Sequence, residues 1–173
     1  MNFSYGSVRR LVVGSVAVGF GGLLLTACAS TQPKHLARTE YPYWKKGADA
    51  AEAAAFLRVR VPEGATEVRG AVRVQPQEHV YLLSFVTDSK TAEAVVDDLR
   101  PDHPLKTDGA PSSLSGDGFE HLGLTSPQDV KGVRTASACP PCVGDSRRGH
   151  VQGIEAHVDD MAGGRARVYL TAY

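Results

Sequence analysis

Hydrophobic and polar residues alternate in several stretches of the chain, and this period of two is typical of half-buried β-strands. The pattern predicts strands at 57–61, 67–75, 130–138, 151–158 and 165–172. In the second of these, Val68, Val72 and Val74 share one parity and are expected on the buried face. The run 79–87 is almost continuously apolar, which predicts a central strand buried on both faces.

Two stretches have helical character instead. Residues 48–56 are rich in Ala and carry their acidic residues early, which favours a short helix. A second helix follows Asp88 or Ser89, either of which is a suitable N-cap, and Pro101 ends it. Its apolar positions recur at helical spacing, at Ala92, Val95, Val96 and Leu99.

These elements predict an α+β fold for a single small domain. Strands and one main amphipathic helix make a two-layer unit, in which the helix packs on an antiparallel sheet. The last three strands predict a C-terminal β-meander, with a hairpin turn at 159–164 between the final two. The order of strands in the sheet does not follow from the pattern.

Residues 102–128 contain three prolines, several glycines and little apolar period, and therefore predict a long loop. Loops of this length are often functional, so its titratable residues are candidates for the site of a hydrolase. They are His103, Asp108, Asp117, Glu120 and His121. Their spacing matches no catalytic pattern, and the loop contains no nucleophile elbow.

The N-terminus has the organisation of an export signal. Arg9 and Arg10 precede the uncharged stretch 11–25, which would rise about 22 Å as a helix and so falls short of the roughly 30 Å hydrocarbon core. The stretch runs into Leu25-Thr26-Ala27-Cys28, which resembles the lipobox of bacterial lipoprotein precursors. Arg9-Arg10 also resembles a twin-arginine signal, and the export route stays open.

The lipobox resemblance implies that Cys28 receives diacylglycerol and that the chain is cleaved before it. This divides the sequence into a signal peptide at 1–27, a lipid-anchored tether at 28–46 and a globular domain at 47–173. The expected location is the extracytoplasmic face of the cell membrane. Tyr41, Tyr43 and Trp44 close the tether, where they contact either the edge of the domain or a membrane or partner.

Composition narrows the possible partners. The chain of 173 residues has 19 basic and 19 acidic residues, and the leader contains two of the basic ones, so the mature chain would be slightly acidic. No basic patch recommends nucleic acid as a partner, and no sequence motif indicates a cofactor. A single Ile and a single Asn, with abundant Ala, Gly, Val and Arg, resemble the usage of exported proteins from GC-rich actinobacterial-type genomes.

Cys139-Pro140-Pro141-Cys142 is the motif with the clearest chemistry. In an exported chain a Cys pair is expected to form a disulfide, although a ring this small constrains the unfolded chain little. The motif also resembles the Cys-X-X-Cys of thioredoxin-like oxidoreductases, but no activating helix is predicted after it. Arg147 and Arg148 would supply positive charge that lowers the pKa of a nearby thiol.

A metal site built from this pair with His150 and His157 is not expected, because the His spacing is unusual and oxidation would remove both sulfur ligands. Three functions remain open. The first is a lipid-anchored binding or scaffold protein without catalysis and with an unidentified protein or small-molecule partner. The alternatives are a thiol-disulfide redox protein using Cys139 and Cys142, and a cell-surface hydrolase.

Overall fold

A computed structural model describes residues 40–107, 118–139, 141–142 and 144–173. The predicted signal peptide, Cys28 and the tether up to residue 39 lie outside the described residues, as do Asp108 and Asp117 of the long loop. Within the described ranges, none of the helices has the length and apolar character needed to cross a membrane.

The described strands form one antiparallel sheet of six strands, in the order β1-β2-β3-β6-β5-β4. The strands are β1 (Tyr43–Trp44), β2 (Thr66–Val74), β3 (His79–Asp88), β4 (Arg134–Ala138), β5 (Ile154–Met161) and β6 (Arg165–Ala172). The helices are α1 (Ala50–Leu57), α2 (Ser89–Asp98) and the single turn α3 (Gly118–His121), with a 3-10 turn at Pro127–Asp129.

The predicted fold class is confirmed, since the molecule is a small α+β domain with an antiparallel sheet. Strands β4, β5 and β6 are consecutive neighbours, as a C-terminal meander requires. Pairing of β3 with β6 joins this meander to the N-terminal strands. The apolar strand β3 is central, as predicted.

Both main helices begin at an aspartate whose side chain accepts hydrogen bonds from the first-turn amides. The Asp49 carboxylate accepts from the backbone N–H groups of Ala51 and Glu52, each at 3.0 Å. The Asp88 carboxylate accepts from the Thr91 N–H at 2.9 Å. These contacts satisfy amides that have no partner within a helix, so the start of each helix is encoded locally.

The main core lies between these two helices and one face of the sheet. Phe85, Leu170 and Val168 from the sheet meet Leu57 of α1 and Val96 of α2, and all are essentially inaccessible to solvent. Each strand contributes every second residue to this face, whereas each helix contributes one stripe. The helices are therefore fixed by apolar burial on one side of the sheet.

The strand predicted at 57–61 is wrong. Leu57 is the last residue of α1, and Arg58 follows it in the left-handed region with φ 53°. Burial alternates because Leu57 and Val59 reach the core, but none of the described strands pairs with this segment. The carbonyl oxygens of Leu57 and Arg58 accept hydrogen bonds from the Arg148 side chain instead.

Strand β2 carries an irregularity that the alternating pattern did not predict. Its register with β3 shifts between Thr66 and Arg69, and Glu67 has φ 50°. As a result Val68 is 41% exposed, although Val72 and Val74 are buried as expected. Two other strands also begin later than predicted, β4 at residue 134 and β5 at residue 154.

The second face of the sheet is covered by part of the segment predicted as a loop. Phe119 of α3 packs with Leu82 and Tyr169, and Leu122 and Leu124 pack around them. Residues 118–129 therefore contain helical turns that hold this segment against the sheet.

The edge strand β1 is formed by two aromatic residues at the end of the predicted tether. Tyr43 and Trp44 pair with β2, and the Trp44 ring stacks on His121 with centroids 3.9 Å apart. The expectation that these aromatic residues dock on the domain edge is confirmed for Trp44. Tyr41 and Tyr43 stay 48% and 40% exposed.

Candidate functional site

The cysteine pair forms the predicted disulfide immediately after β4. Cys139 follows the last residue of that strand, adopts φ 43° and is bonded to Cys142. Cys142 is fully buried, and its backbone N–H donates to the Val151 carbonyl at 3.2 Å. Cys139 is partly exposed, so the two sulfurs differ in their access to solvent.

The segment after the disulfide is held in place by Arg148, whose side chain is 0% exposed. All five of its N–H donors have acceptors. The carbonyl oxygens of Leu57 (2.8 Å), Arg58 (3.2 Å) and Asp98 (3.0 Å) accept three of these bonds. The carboxylates of Asp145 (2.6 Å) and Asp98 (2.8 Å) accept the other two.

Two of those three carbonyl groups belong to the last residues of α1 and α2, Leu57 and Asp98. Carbonyl groups at a helix C-terminus have no partner within the helix and carry partial negative charge. A buried guanidinium satisfies them and offsets that charge. Arg148 therefore joins the ends of both helices to the disulfide segment.

Arg147 completes a charge-balanced cluster with Arg148, Asp98 and Asp145. Its guanidinium donates to Asp98 at 2.9 Å and to Asp145 at 3.3 Å. Burial alone would raise the pKa of Asp145, but hydrogen bonds from Arg147 and Arg148 outweigh it and hold that pKa at about 2. The same two arginines, Arg148 foremost, lower the pKa of Asp98.

Arg147 and Arg148 were expected to lower the pKa of a nearby thiol, and their pairing with carboxylates corrects that expectation. Both guanidinium groups are committed to carboxylates, so their charge is balanced within the cluster. The described residues after Cys142 form turns rather than a helix, so no helix dipole acts on the sulfur atoms in the part of the chain that is described. The arrangement is that of a disulfide built into a fixed turn.

Two hollows border the cluster, one lined by Asp145 and the other by Asp98 and Arg147. The disulfide hollow has a volume of about 340 Å³. It is lined by Leu99, Arg100, Asp102, Cys139, Pro141, Gly144 and Asp145. The arginine groove has a volume of about 460 Å³. It is lined by Arg58, Val59, Arg60, Thr91, Ala94, Val95, Asp98 and Arg147.

The two histidines considered as metal ligands lie in different surroundings. His150 Nε2 is 2.9 Å from the Phe56 carbonyl oxygen, and its ring meets the Phe56 ring edge-on. His157 lies on the opposite face of the sheet, paired in register with Thr135 and Tyr169. Nowhere in the described ranges do three His, Cys, Asp or Glu side chains converge as a metal site would require.

Among the described residues, the loop residues suggested for a hydrolase do not form a catalytic arrangement. His103 and Glu120 are exposed, and His121 stacks on Trp44. Between described residues, no hydrogen bond joins His103 or His121 to a carboxylate or a serine. Asp108 and Asp117 lie outside the described ranges.

No local sequence signal indicates the buried polar row on the second face of the sheet. Ser84, His157 and Thr171 are at most 3% exposed, yet none of their side-chain polar atoms has a partner among the described residues. Burial lowers the pKa of His157 to about 4. Phe119, Leu122 and Leu124 pack on this face, and no local pattern encodes that cover.

The chain matches no protein-family model, and no curated protein or solved structure is significantly similar to it.

Proposed function

We propose that the chain is a lipid-anchored protein of the extracytoplasmic membrane face, whose folded domain acts as a binding or scaffold module without catalysis. The proposal combines the lipobox ending at Cys28 with the Cys139–Cys142 disulfide, which is the observation that carries it. Disulfides persist in oxidising compartments and are rare in the cytosol. The pairing uses two of the three cysteines and leaves Cys28 for the lipid.

The surroundings of the disulfide support binding over catalysis. Arg147, Arg148, Asp98 and Asp145 compensate one another, so the two arginines that follow the disulfide supply no excess charge beside Cys139. The open hollows beside the charge cluster are suited to holding a ligand or a partner segment.

The anchor is tested by replacing its cysteine. Cys28→Ala is expected to move the protein out of the washed membrane fraction, because the two acyl chains of the diacylglycerol are proposed to hold the protein in the membrane. The double variant Cys139→Ala/Cys142→Ala is the control and should remain in the membrane fraction. Retention of the Cys28→Ala variant at the wild-type level would count against the lipid anchor.

A thiol-disulfide exchange activity is the second candidate, and one observation favours it. Cys139 is partly exposed beside the disulfide hollow, whereas Cys142 is fully buried. In the reduced chain, the Cys139 thiolate would attack a substrate disulfide and release one substrate thiol. Cys142 would then displace the second, leaving the Cys139–Cys142 disulfide and a reduced substrate.

Reduced protein mixed with glutathione disulfide distinguishes the two candidates. The redox function requires rapid formation of glutathione and its loss in Cys139→Ser. The binding function predicts exchange no faster than that of a small free dithiol at the same concentration.

A further inference from the structure

The arginine groove lies between the segment that follows α1 and the exposed side of α2. Its walls come from residues 58–60 and from Thr91, Ala94, Val95 and Asp98. Val59, Ala94 and Val95 provide an apolar surface, and three arginines stand around it. Its volume of about 460 Å³ is within the roughly 300–1,000 Å³ usual for small-molecule sites.

The charge in this groove is unbalanced. Asp98 is the one carboxylate among its lining residues, and it accepts hydrogen bonds from both Arg147 and Arg148. Asp145 also pairs with those two arginines. These four groups therefore sum to no net charge, which leaves the charges of Arg58 and Arg60 in excess.

Arg58 and Arg60 are both exposed, and neither guanidinium forms an ion pair or hydrogen bond with any residue in the described ranges. This contrasts with Arg134, Arg147, Arg148 and Arg167, each of which is paired with a carboxylate. Two free guanidinium groups beside an apolar wall match a ligand with an oxyanion at one end and an apolar group at the other.

We propose that the arginine groove binds a small organic anion, in which a carboxylate or phosphate contacts Arg58 and Arg60 and the apolar part lies against Val59 and Val95. The site rests on the proposed binding function and supplies its ligand class. Inorganic phosphate alone would not contact the apolar wall of the groove, so the proposed ligand carries an organic substituent.

Calorimetric titration of the full chain in non-ionic detergent tests the site with benzoate, phenyl phosphate and benzyl alcohol. Saturable binding of at least one anion is expected, with much weaker binding of the neutral alcohol. Binding should weaken as salt rises, because the contact is largely electrostatic. The comparison of benzoate with phenyl phosphate assigns the oxyanion.

Arg58→Gln and Arg60→Gln are each expected to weaken anion binding about tenfold, as loss of a charge-assisted contact implies. Arg100→Gln is the matched control, because Arg100 is also exposed and follows a helix with φ 56°, but borders the disulfide hollow. It should bind as the wild type does. Since Arg60 does not share the left-handed backbone of Arg58, its variant remains informative if Arg58→Gln folds poorly.

The assignment is overturned if the wild type binds neither anion, if benzyl alcohol binds equally well, or if Arg100→Gln loses as much affinity as the groove variants. Membrane fractionation of the same variants separates this failure from failure of the anchor. A groove without a ligand leaves membrane retention unchanged, whereas loss of the anchor leaves anion binding unchanged.

Discussion

The guanidinium of Arg148 joins three backbone segments that are distant in sequence. Its acceptors lie at the end of α1, at the end of α2 and in the turn after the disulfide. Removing one partner from a buried ion pair leaves the other in a poorly solvated site, which costs far more than losing an exposed pair. Arg148 and its neighbour Arg147 allow this comparison within one cluster.

Arg148→Met is expected to lower the free energy of unfolding by about 3–5 kcal/mol, because it leaves three carbonyl groups without their donor and weakens the pairing of Asp145. Arg147→Met should cost less than about 1 kcal/mol, since that side chain is 43% exposed rather than 0%. Urea denaturation of both variants measures the difference. Equal losses would refute the role assigned to Arg148.

Because His157 is buried, we expect the stability of the domain to depend on pH. Burial lowers its pKa to about 4, from an ordinary value of 6.5. Between these values the unfolded chain binds a proton that the folded chain does not, so stability falls as pH decreases from 6.5 to 4. The loss attributable to this residue is up to about 3 kcal/mol.

His157→Leu should remove that part of the pH dependence and leave stability at pH 7 unchanged or higher, because two buried ring nitrogens without partners are removed. Thermal melts from pH 7 to 4 give the slope. His79→Gln, at an exposed position, is the control and should keep the wild-type slope. An unchanged slope in His157→Leu would show that the ring does not titrate as assigned.

At the scale of secondary structure, the sequence predicted elements best where a local rule selects them. Asp49 and Asp88 cap their helices, and the glycines of the last hairpin, Gly163 and Gly164, have φ 76° and 70° as a tight turn requires. The prediction at 57–61 was wrong because alternating burial also occurs where a helix ends and the chain turns away from it. The hydrogen-bond partner of this segment is Arg148, some 90 residues away, and no local pattern reveals such a contact.

The packing of α1 on β2 depends on a glycine. A Cβ atom at Gly70 would lie 2.4 Å from the Cα atom of Ala50, so α1 approaches the strand more closely than any side chain allows. Gly70→Ala is expected to displace the helix and destabilise the domain by about 1–3 kcal/mol, as overpacking does. Chemical denaturation measures the change.

Gly149→Ala is a suitable control for Gly70→Ala, because among the described residues no heavy atom beyond its chain neighbours lies within 4 Å of the added Cβ. Its stability should stay close to that of the wild type. If Gly70→Ala were equally neutral, the close approach of α1 to the sheet would not be a constraint on the fold.

For the whole molecule, β6 is the strand on which the sheet depends. It pairs with β3 along eight residues and with β5 along eight, so it joins the two parts of the sheet. Deletion of residues 166–173 is expected to abolish cooperative thermal unfolding. Lengthening the exposed turn at 162–164 by two glycines should leave the transition intact; a cooperative melt after the deletion would contradict this account of the sheet.

The sequence predicted only those parts of the candidate site that neighbouring residues encode. The disulfide and the edge position of Trp44 follow from short motifs, so the sequence revealed them. The pairing of Arg147 and Arg148 with carboxylates, the arginine groove and the buried polar row each require segments brought together by the sheet. Periodicity carries no information about which carboxylate meets which arginine.

The function proposed for the molecule rests on the anchor at Cys28, and mass spectrometry of the chain extracted from the membrane fraction tests it most directly. A lipid anchor requires a mature chain that begins at Cys28, with diacylglycerol on its sulfur, and we expect Cys139 and Cys142 to be oxidised in it. A free thiol at Cys28, or a chain that still carries residues 1–27, would contradict it.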